Sequence, residues 1–319
     1  MKANIGMKIR LAVLLGLAFW MVMLTCWGCA GSPDAAKKIP TTINTVEPAK
    51  GFTKRIAVVL AQTTDSAFGR RVGDIYFRTL VDALREEDAG LQLITRTKGQ
   101  LPEVMDAMVQ MGSTPDRAFE LSETARIAGL NGWACARIES LQPVARKTGI
   151  LWFRKERYFI FAELSFSVYD PFTGAKIVDK VVETSTPVDQ ADYDAIRSGK
   201  AVSVADLDET IADIGADIGE HAAKVLADHP WQTAVIGVQD GRVFLSAGTS
   251  AGLRGGERLT VFQGRRMMDG QNGERFIVPG PEVGMIRIVQ VTEGVSEAKV
   301  ESASDGARIQ AGDIAAAVK

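Results

Sequence analysis

Asp213, Asp217 and His221 recur at every fourth position in "ADIGADIGEHAA", a spacing that stacks the three side chains on one face of a helix. A carboxylate and an imidazole one turn apart can hold a divalent metal, but a dedicated site draws on three or four ligands. The chain contains only two histidines, and the second, His229, lies two turns on beside Pro230. The stretch reads as a solvated acidic face. Cys135 in "GWACARIE" sits within a short apolar run with no metal-site spacing around it, the setting of a buried small hydrophobe rather than a nucleophile. "AGTSAGLRGGE" lacks the Gly-Lys-Ser/Thr ending and the helix of a phosphate loop. "DGQNGE" (Asp269 to Glu274) has too few carboxylates for a calcium loop. Both histidines stand near a helix end, outside any nucleophile-elbow context. The expectation is a chain that is not an enzyme, with no cofactor and no evident small-molecule substrate.

Cys29 has a different kind of chemistry. Lys2, Lys8 and Arg10 precede an uncharged run from Leu11 to Trp27, the positive and apolar regions of an export signal. Gly28 directly precedes Cys29, and the following "AGSPDAAKKIP" is small, polar and proline-containing. A small residue before an acceptor cysteine resembles the lipobox of bacterial lipoproteins, in which that cysteine is diacylated and becomes the first mature residue. Cys26 stands where the pattern usually has Leu, and Trp27 is bulky for its place. The apolar run also approaches the roughly 20 residues that span a bilayer, so an uncleaved N-terminal anchor is the competing expectation. On the lipoprotein reading, residues 1–29 are the signal peptide and 30–52 a tether. Two or three acyl chains hold a protein far more firmly than one. Ala30, rather than Asp, resembles an outer-membrane address, so the expected location is the periplasmic face of the outer membrane, lipid-anchored.

The chain carries a net charge of −2, and the three positive charges of the leader leave −5 in the mature part. With no global basic field, nucleic acid is not an expected partner.

The elements that must position everything else fall into two groups. "RIAVVLA" is a continuous apolar run and predicts a buried strand. A helix is expected from Ala67 to about Glu87, with Ser66 as its cap and a stripe of Phe68, Val72, Ile75, Tyr76, Leu80, Ala83 and Leu84. "LQLIT" predicts a second strand. A helix capped by Thr114, opened by Pro115 and stopped at Gly129 leads into a third strand, "WACARIE". In "RYFIFAELSFSVYD", Ile160, Ala162, Leu164, Phe166 and Val168 alternate with polar and aromatic positions, a strand buried mainly on one side. "DPFTG" turns it into "AKIVDKVVETS". A last helix is expected from about Leu207 to Asp228, with Asp206 and Glu209 as a capping box. After His229-Pro230 come short strands and glycine turns, beginning with a hairpin about Asp240-Gly241; Ala298 and Val300 are expected to point inward. The fold class predicted is α/β, a two-layer mixed sheet with helices on one side (residues 53–229), followed by a small all-β barrel-like domain (230–319).

Three phrases carry a family resemblance. "ARIAGLNGWACARIE" and "AELSFSVYDPFTGAKIV" are similar to the helix–strand and strand–turn–strand passages of the CsgG / TolB-N-terminal-like domains of envelope lipoproteins. "GRVFLSAGTSAGLRGGERLTVF" resembles the C-terminal β module of the flagellar assembly protein T family. The resemblance implies a role in envelope assembly, among proteins such as the curli secretion channel, flagellar ring proteins and lipoprotein activators of peptidoglycan synthases. It implies envelope protein partners; a two-layer platform of this type leaves strand edges and a helix face available for ring-forming self-association, and the acyl anchor expected on Cys29 brings contact with a bilayer. A CsgG-type pore needs transmembrane hairpins of about ten alternating residues per strand. The nearest stretch here, "VARKTGILWFRKERYF", is too short and too charged to span.

That stretch is nevertheless the expected contact site. Arg146, Lys147, Arg154, Lys155 and Arg157 surround Trp152 and Phe153, a mixture that suits a lipid headgroup surface or an acidic partner. The alternative is a solvated hairpin whose aromatics turn into the core.

Overall fold

The computed structural model describes residues 51–61, 66–86, 90–95, 115–149, 152, 154–264, 266–271, 273–304 and 306–317. The expected leader with Cys29, nearly all of the expected tether, the expected Thr114 cap and Phe153 lie outside these residues. The elements run β1 (Lys54–Ala61), α1 (Ala67–Glu86), β2 (Leu91–Thr95), α2 (Pro115–Ile127), β3 (Gly132–Thr148), β4 (Lys155–Tyr169), β5 (Lys176–Val188), α3 (Gln190–Arg197) and α4 (Ala205–Asp228). Then come β6 (Gln232–Gln239), β7 (Arg242–Leu245), β8 (Arg258–Phe262), β9 (Arg266–Asp269), β10 (Arg275–Val278), β11 (Glu282–Val291), β12 (Ser296–Ala303) and β13 (Ile314–Ala317).

The first five strands form one sheet in the order β2-β1-β3-β4-β5. β1 is parallel to β2 and β3, and β3, β4 and β5 are successively antiparallel. The sheet is therefore mixed, as the sequence predicts. From Ile56 to Ala61, β1 is apolar because both its faces are covered. Ile56 and Val58 join the core under α1 and α4, while Ala57 and Val59 pack with Leu121 and Ala125 of α2. Successive strand residues point to opposite faces, so the two long helices make the second layer and α2 is added on the other side. The alternation read in β4 holds: Ile160, Ala162, Leu164, Phe166 and Val168 are all buried in the core beneath the long helices. No helix among the described residues is long and apolar enough to cross a membrane.

The helix starts show where sequence rules act and where tertiary partners displace them. Ser66 Oγ accepts from Gly69 N at 2.9 Å, capping α1 as expected. The capping box at Asp206 does not form: α4 starts after Val204, with no side-chain cap. Two residues on from Asp206, Asp208 is gripped by Arg71 of α1 at 2.6 and 2.8 Å, a two-pronged guanidinium–carboxylate pair that ties the start of α4 to α1. Helix α3, absent from the sequence expectation, is capped by Asp189, which accepts from Asp192 N at 2.8 Å.

Two features join α4 to its neighbours. Gly215 and Gly219, one turn apart, let α1 and α4 approach. A Cβ on Gly215 would lie 2.9 Å from Tyr76 O, and one on Gly219 would lie 2.6 Å from Leu80 O. At the other end of α4, the buried Lys54 amine donates to Leu226 O and Ala227 O at 2.6 and 2.7 Å, satisfying carbonyls that the helix terminus leaves free. Burial brings the Lys54 amine down to about 8, with Asp228 pulling the other way.

Residues from 232 onward form a closed six-stranded barrel, β11-β12-β7-β6-β13-β8. Its core includes Trp231, Leu245, Leu259, Val261, Ile286, Ile288 and Ala298. Asp240 (φ 51°) and Gly241 (φ 75°) make the predicted left-handed pair of the β6–β7 turn. Val300 corrects the expectation that it points inward, for it is exposed. β7 ends its pairing opposite Lys299, and the β11–β12 register slips between Met285 and Ile286, which carries Val300 past the closed wall. β9 and β10 form a separate two-stranded hairpin, and "DGQNGE" supplies its turn.

Two outcomes test this packing. An exposed Gly→Ala change in a helix gains up to about 1 kcal/mol, but Gly215→Ala and Gly219→Ala should each lose about 1–3 kcal/mol in denaturant unfolding; an unchanged or raised midpoint would refute the close approach. The folded Lys54 amine titrates near 8 against 10.5 for the unconstrained group, so above pH 8 the folded chain loses a proton that the unfolded chain keeps. Its contribution to stability should rise with pH from 8 towards 10.5 and stay flat below 8, and in Lys54→Met that rise should vanish from the melting-temperature profile.

Candidate functional site

The sheet face opposite α1 and α4 is covered by α2 only over β1 and the start of β3. Beyond that cover, between β3, β4 and β5, is a shallow depression of about 200 Å³. Its polar groups satisfy one another. Ser165 Oγ donates to Glu139 at 2.6 Å, Ser167 Oγ to Asp179 at 3.0 Å, and the Lys176 amine to Asp179 at 3.0 Å. Lys176 also lies 5.7 Å from the centre of the Tyr169 ring. Cys135, 3% exposed, forms part of the floor and accepts a contact from Arg137 Nε at 3.4 Å. Burial pushes the thiol upward, and the neighbouring Arg137 only partly offsets it. A thiol held neutral is no nucleophile. Burial likewise raises the Tyr169 phenol. This face is a set of closed ion pairs and hydrogen bonds.

Asp213, Asp217 and His221 lie exposed along one face of α4, as their spacing predicts. Among the described residues no group of three or more His, Cys, Asp or Glu side chains is arranged to hold a metal. His229 is elsewhere, 3.6 Å from the buried carboxylate of Asp170. Asp170 anchors the "DPFTG" turn by accepting from Phe172 N at 2.8 Å and Thr173 Oγ at 2.5 Å.

The basic stretch is brought together on one device, an arm made by the ends of β3 and β4. β1 stops pairing with β3 at Arg137, and β5 pairs with β4 only from Tyr158 on. Among the described residues, the last three pairs, Arg146↔Arg157, Lys147↔Glu156 and Thr148↔Lys155, form a two-stranded ribbon without further neighbours in the sheet. Arg146, Lys147, Arg154, Lys155 and Arg157 are all exposed. Trp152 is 87% exposed, so its ring does not turn into the core. Arg146 leans over the Phe159 ring at 5.6 Å, which ties the base of the arm to the sheet.

At the opposite end of the sheet the barrel is joined by a polar and aromatic seam, most of which sequence reasoning missed. Phe52 stacks on Trp231 with ring centres 4.5 Å apart. Asn131 accepts from Arg55 N at 3.0 Å and donates to Gln232 O at 2.7 Å. Ser246 Oγ donates to Arg126 O at 3.1 Å, and Arg126 donates to Gly312 O at 3.3 Å. The β9–β10 hairpin adds Arg275 over the Phe119 ring at 4.9 Å and a bond from Ile277 N to Thr173 O at 2.9 Å. The available signal was polar residues, Asn131 and Ser246, within otherwise apolar runs.

Comparison with known proteins touches the barrel most directly. Residues 240–317 match the family described as flagellar assembly protein T, C-terminal domain. The match begins at the β6–β7 turn and ends with β13. No curated protein matches the chain in sequence. Among solved structures, the PelC dodecamer of Paraburkholderia phytofirmans is similar at 15% identity, covering 57% of this chain and 94% of that one, with a TM-score of 0.30. A minor lipoprotein of Acinetobacter baumannii is similar at 11% identity over 53% of this chain and 92% of its own, TM-score 0.28. TolB from Acinetobacter baumannii is similar at 10% identity, covering 80% of this chain and 61% of its own, TM-score 0.26. Likeness at these scores says nothing about activity.

In the folded protein, iodoacetamide should modify Cys135 at least about a hundredfold more slowly than in the urea-unfolded chain, because reaction waits on opening of the core. Mapping the Cys135 peptide by mass spectrometry reads this directly. Comparable rates in the two states would show a reactive thiol.

Proposed function

We propose that the chain is a lipid-anchored, non-enzymatic assembly component of the bacterial envelope, held at the periplasmic face of the outer membrane by acyl groups on Cys29. It works by docking into a larger machine of the flagellar-ring or secretion type. The observation that carries this reading is the match of residues 240–317 to the flagellar assembly protein T C-terminal domain, over five of the six strands that close into one barrel. The α/β part supports it through the passages "ARIAGLNGWACARIE" and "AELSFSVYDPFTGAKIV", by which the sequence resembles CsgG and TolB-N-terminal-like domains. Self-association into a ring belongs to the same reading: among the described residues β2 and β5 are the edge strands of the sheet, and an edge strand can pair with another chain.

Mass spectrometry of the native polypeptide tests the anchor. The expected product starts at an acylated Cys29, whereas an intact Met1 leader or recovery from the cytosol would overturn the lipoprotein reading. Cross-linking in native envelopes tests the role. The chain should enter a complex several times its own mass, and a one-to-one complex with a peptidoglycan synthase whose turnover rises would replace assembly by regulation.

A further inference from the structure

We propose that the β3–β4 arm is a membrane probe whose tip lies in the headgroup layer of an anionic phospholipid bilayer, with the Trp152 indole at the interface and the flanking cations on lipid phosphates. The inference deepens the envelope reading above and rests on it for the compartment.

Directly paired residues share a face of an antiparallel ribbon. Arg146, Arg157 and Lys155 therefore lie on one face of the arm and Lys147 on the other, with Arg154 beyond the last pair. A protein groove would meet one face of such a ribbon; a fluid layer of headgroups surrounds it and can answer cations on both. Arg146 and Arg157 are directly opposed. Like charges in that register are destabilising, and a phosphate between two guanidiniums reverses the sign. The one acid in the ribbon, Glu156, accepts from its own neighbour Tyr158 Oη at 3.3 Å. The other described tryptophans, Trp133 and Trp231, are 5% and 1% exposed, against 87% for Trp152. An indole with an apolar body and a polar edge settles at a bilayer interface.

Length decides between touching and crossing. Three free pairs at about 3.4 Å per residue give roughly 10 Å of ribbon, comparable with one headgroup layer and far short of the roughly 30 Å hydrocarbon core. The anchor allows the same bilayer to serve both. Residue 51 is at the barrel end of the sheet, where Thr53 N bonds Ala251 O at 3.0 Å, and β3 runs about 50 Å from there to the arm. Residues 30–50 span at most about 70 Å when extended, enough for acyl groups on Cys29 and the arm to reach one surface.

The test uses the full-length chain reconstituted in phosphatidylcholine vesicles, with or without phosphatidylglycerol, each with a brominated-chain counterpart. Subtracting the fluorescence of Trp152→Phe isolates the Trp152 signal. A cation near an anionic surface is worth about 1 kcal/mol, roughly fivefold in binding. Bromolipid should quench Trp152 in the anionic vesicles, at least about threefold more than in neutral ones, and added salt should abolish the difference. Arg146→Ser with Arg157→Ser should lower binding to the anionic vesicles at least about fivefold, read as weaker quenching at limiting lipid, at an unchanged melting temperature, while Arg146→Lys with Arg157→Lys should retain it. Equal quenching in both vesicles, or none in either, overturns the proposal. Shielding of Trp152 from acrylamide only when native envelope proteins are added also overturns it, in favour of an acidic protein partner. The vesicle result does not depend on how the native chain is processed, so it fails separately from the Cys29 acylation result.

Discussion

Strand β3 is the constraint from which the rest follows. Its first residues pair with β1 on one side and β4 on the other, in the most buried part of the sheet, and its last residues pair with β4 alone. One continuous backbone passes from the barrel seam, through the core, to solvent. The register of its first half therefore fixes which side chains face outward in the arm. A slip of one residue would exchange the two faces of every position along it, placing Arg137 in the core and Ala136 in the polar depression. Burial of Ala134, Ala136 and Ile138 beneath the long helices prevents that slip.

The barrel is fixed to this strand more tightly than a change of composition at residues 229–230 suggests. Only His229, Pro230 and Trp231 separate α4 from β6, and Trp231 is buried in the barrel core while stacked on Phe52. The chain thus crosses the seam twice around one ring pair. Gly129 makes the close approach feasible: in a left-handed conformation (φ 73°), its missing Cβ would lie 2.1 Å from Ser246 O. The buried polar groups here find partners across the seam, Asn131 on Gln232 and Ser246 on Arg126. Pulling the two parts apart would leave those groups to be resolvated, a cost of about 1–3 kcal/mol for each one left buried without a partner.

Local pattern made most of the fold legible. Period-two burial in β4, the Ser66 cap, Gly129 and the Asp240-Gly241 turn are decided within a few residues, and each forms as its neighbours dictate. What the sequence hid depends on residues far apart in the chain. Asp206 and Glu209 looked like a capping box, yet the carboxylate that is held at this helix start is Asp208, by Arg71 on another helix. Gly215 and Gly219 look like weak points in a helix until α1 is laid against them. Val300 obeys its alternation but lies where the neighbouring strand has ended. The residues of the expected contact site were visible as a run of cations around an indole. Their arrangement on a free ribbon was not, because it requires knowing where β1 and β5 stop.

A like-charged, solvent-exposed ribbon is a local loss that the fold does not need for its own stability. No buried apolar side chain from the arm's three free pairs contributes to the core, and opposing Arg146 to Arg157 works against the pairing itself. Such a segment holds its shape only because the remainder of the β3–β4 hairpin, flanked by β5 and sealed by Ile160, Ala162 and Leu164, is already fixed. The division is physical: the body supplies the free energy of folding, and the arm presents charge and one indole in a set direction. That is the arrangement expected where local stability has been traded for contact with something outside the chain.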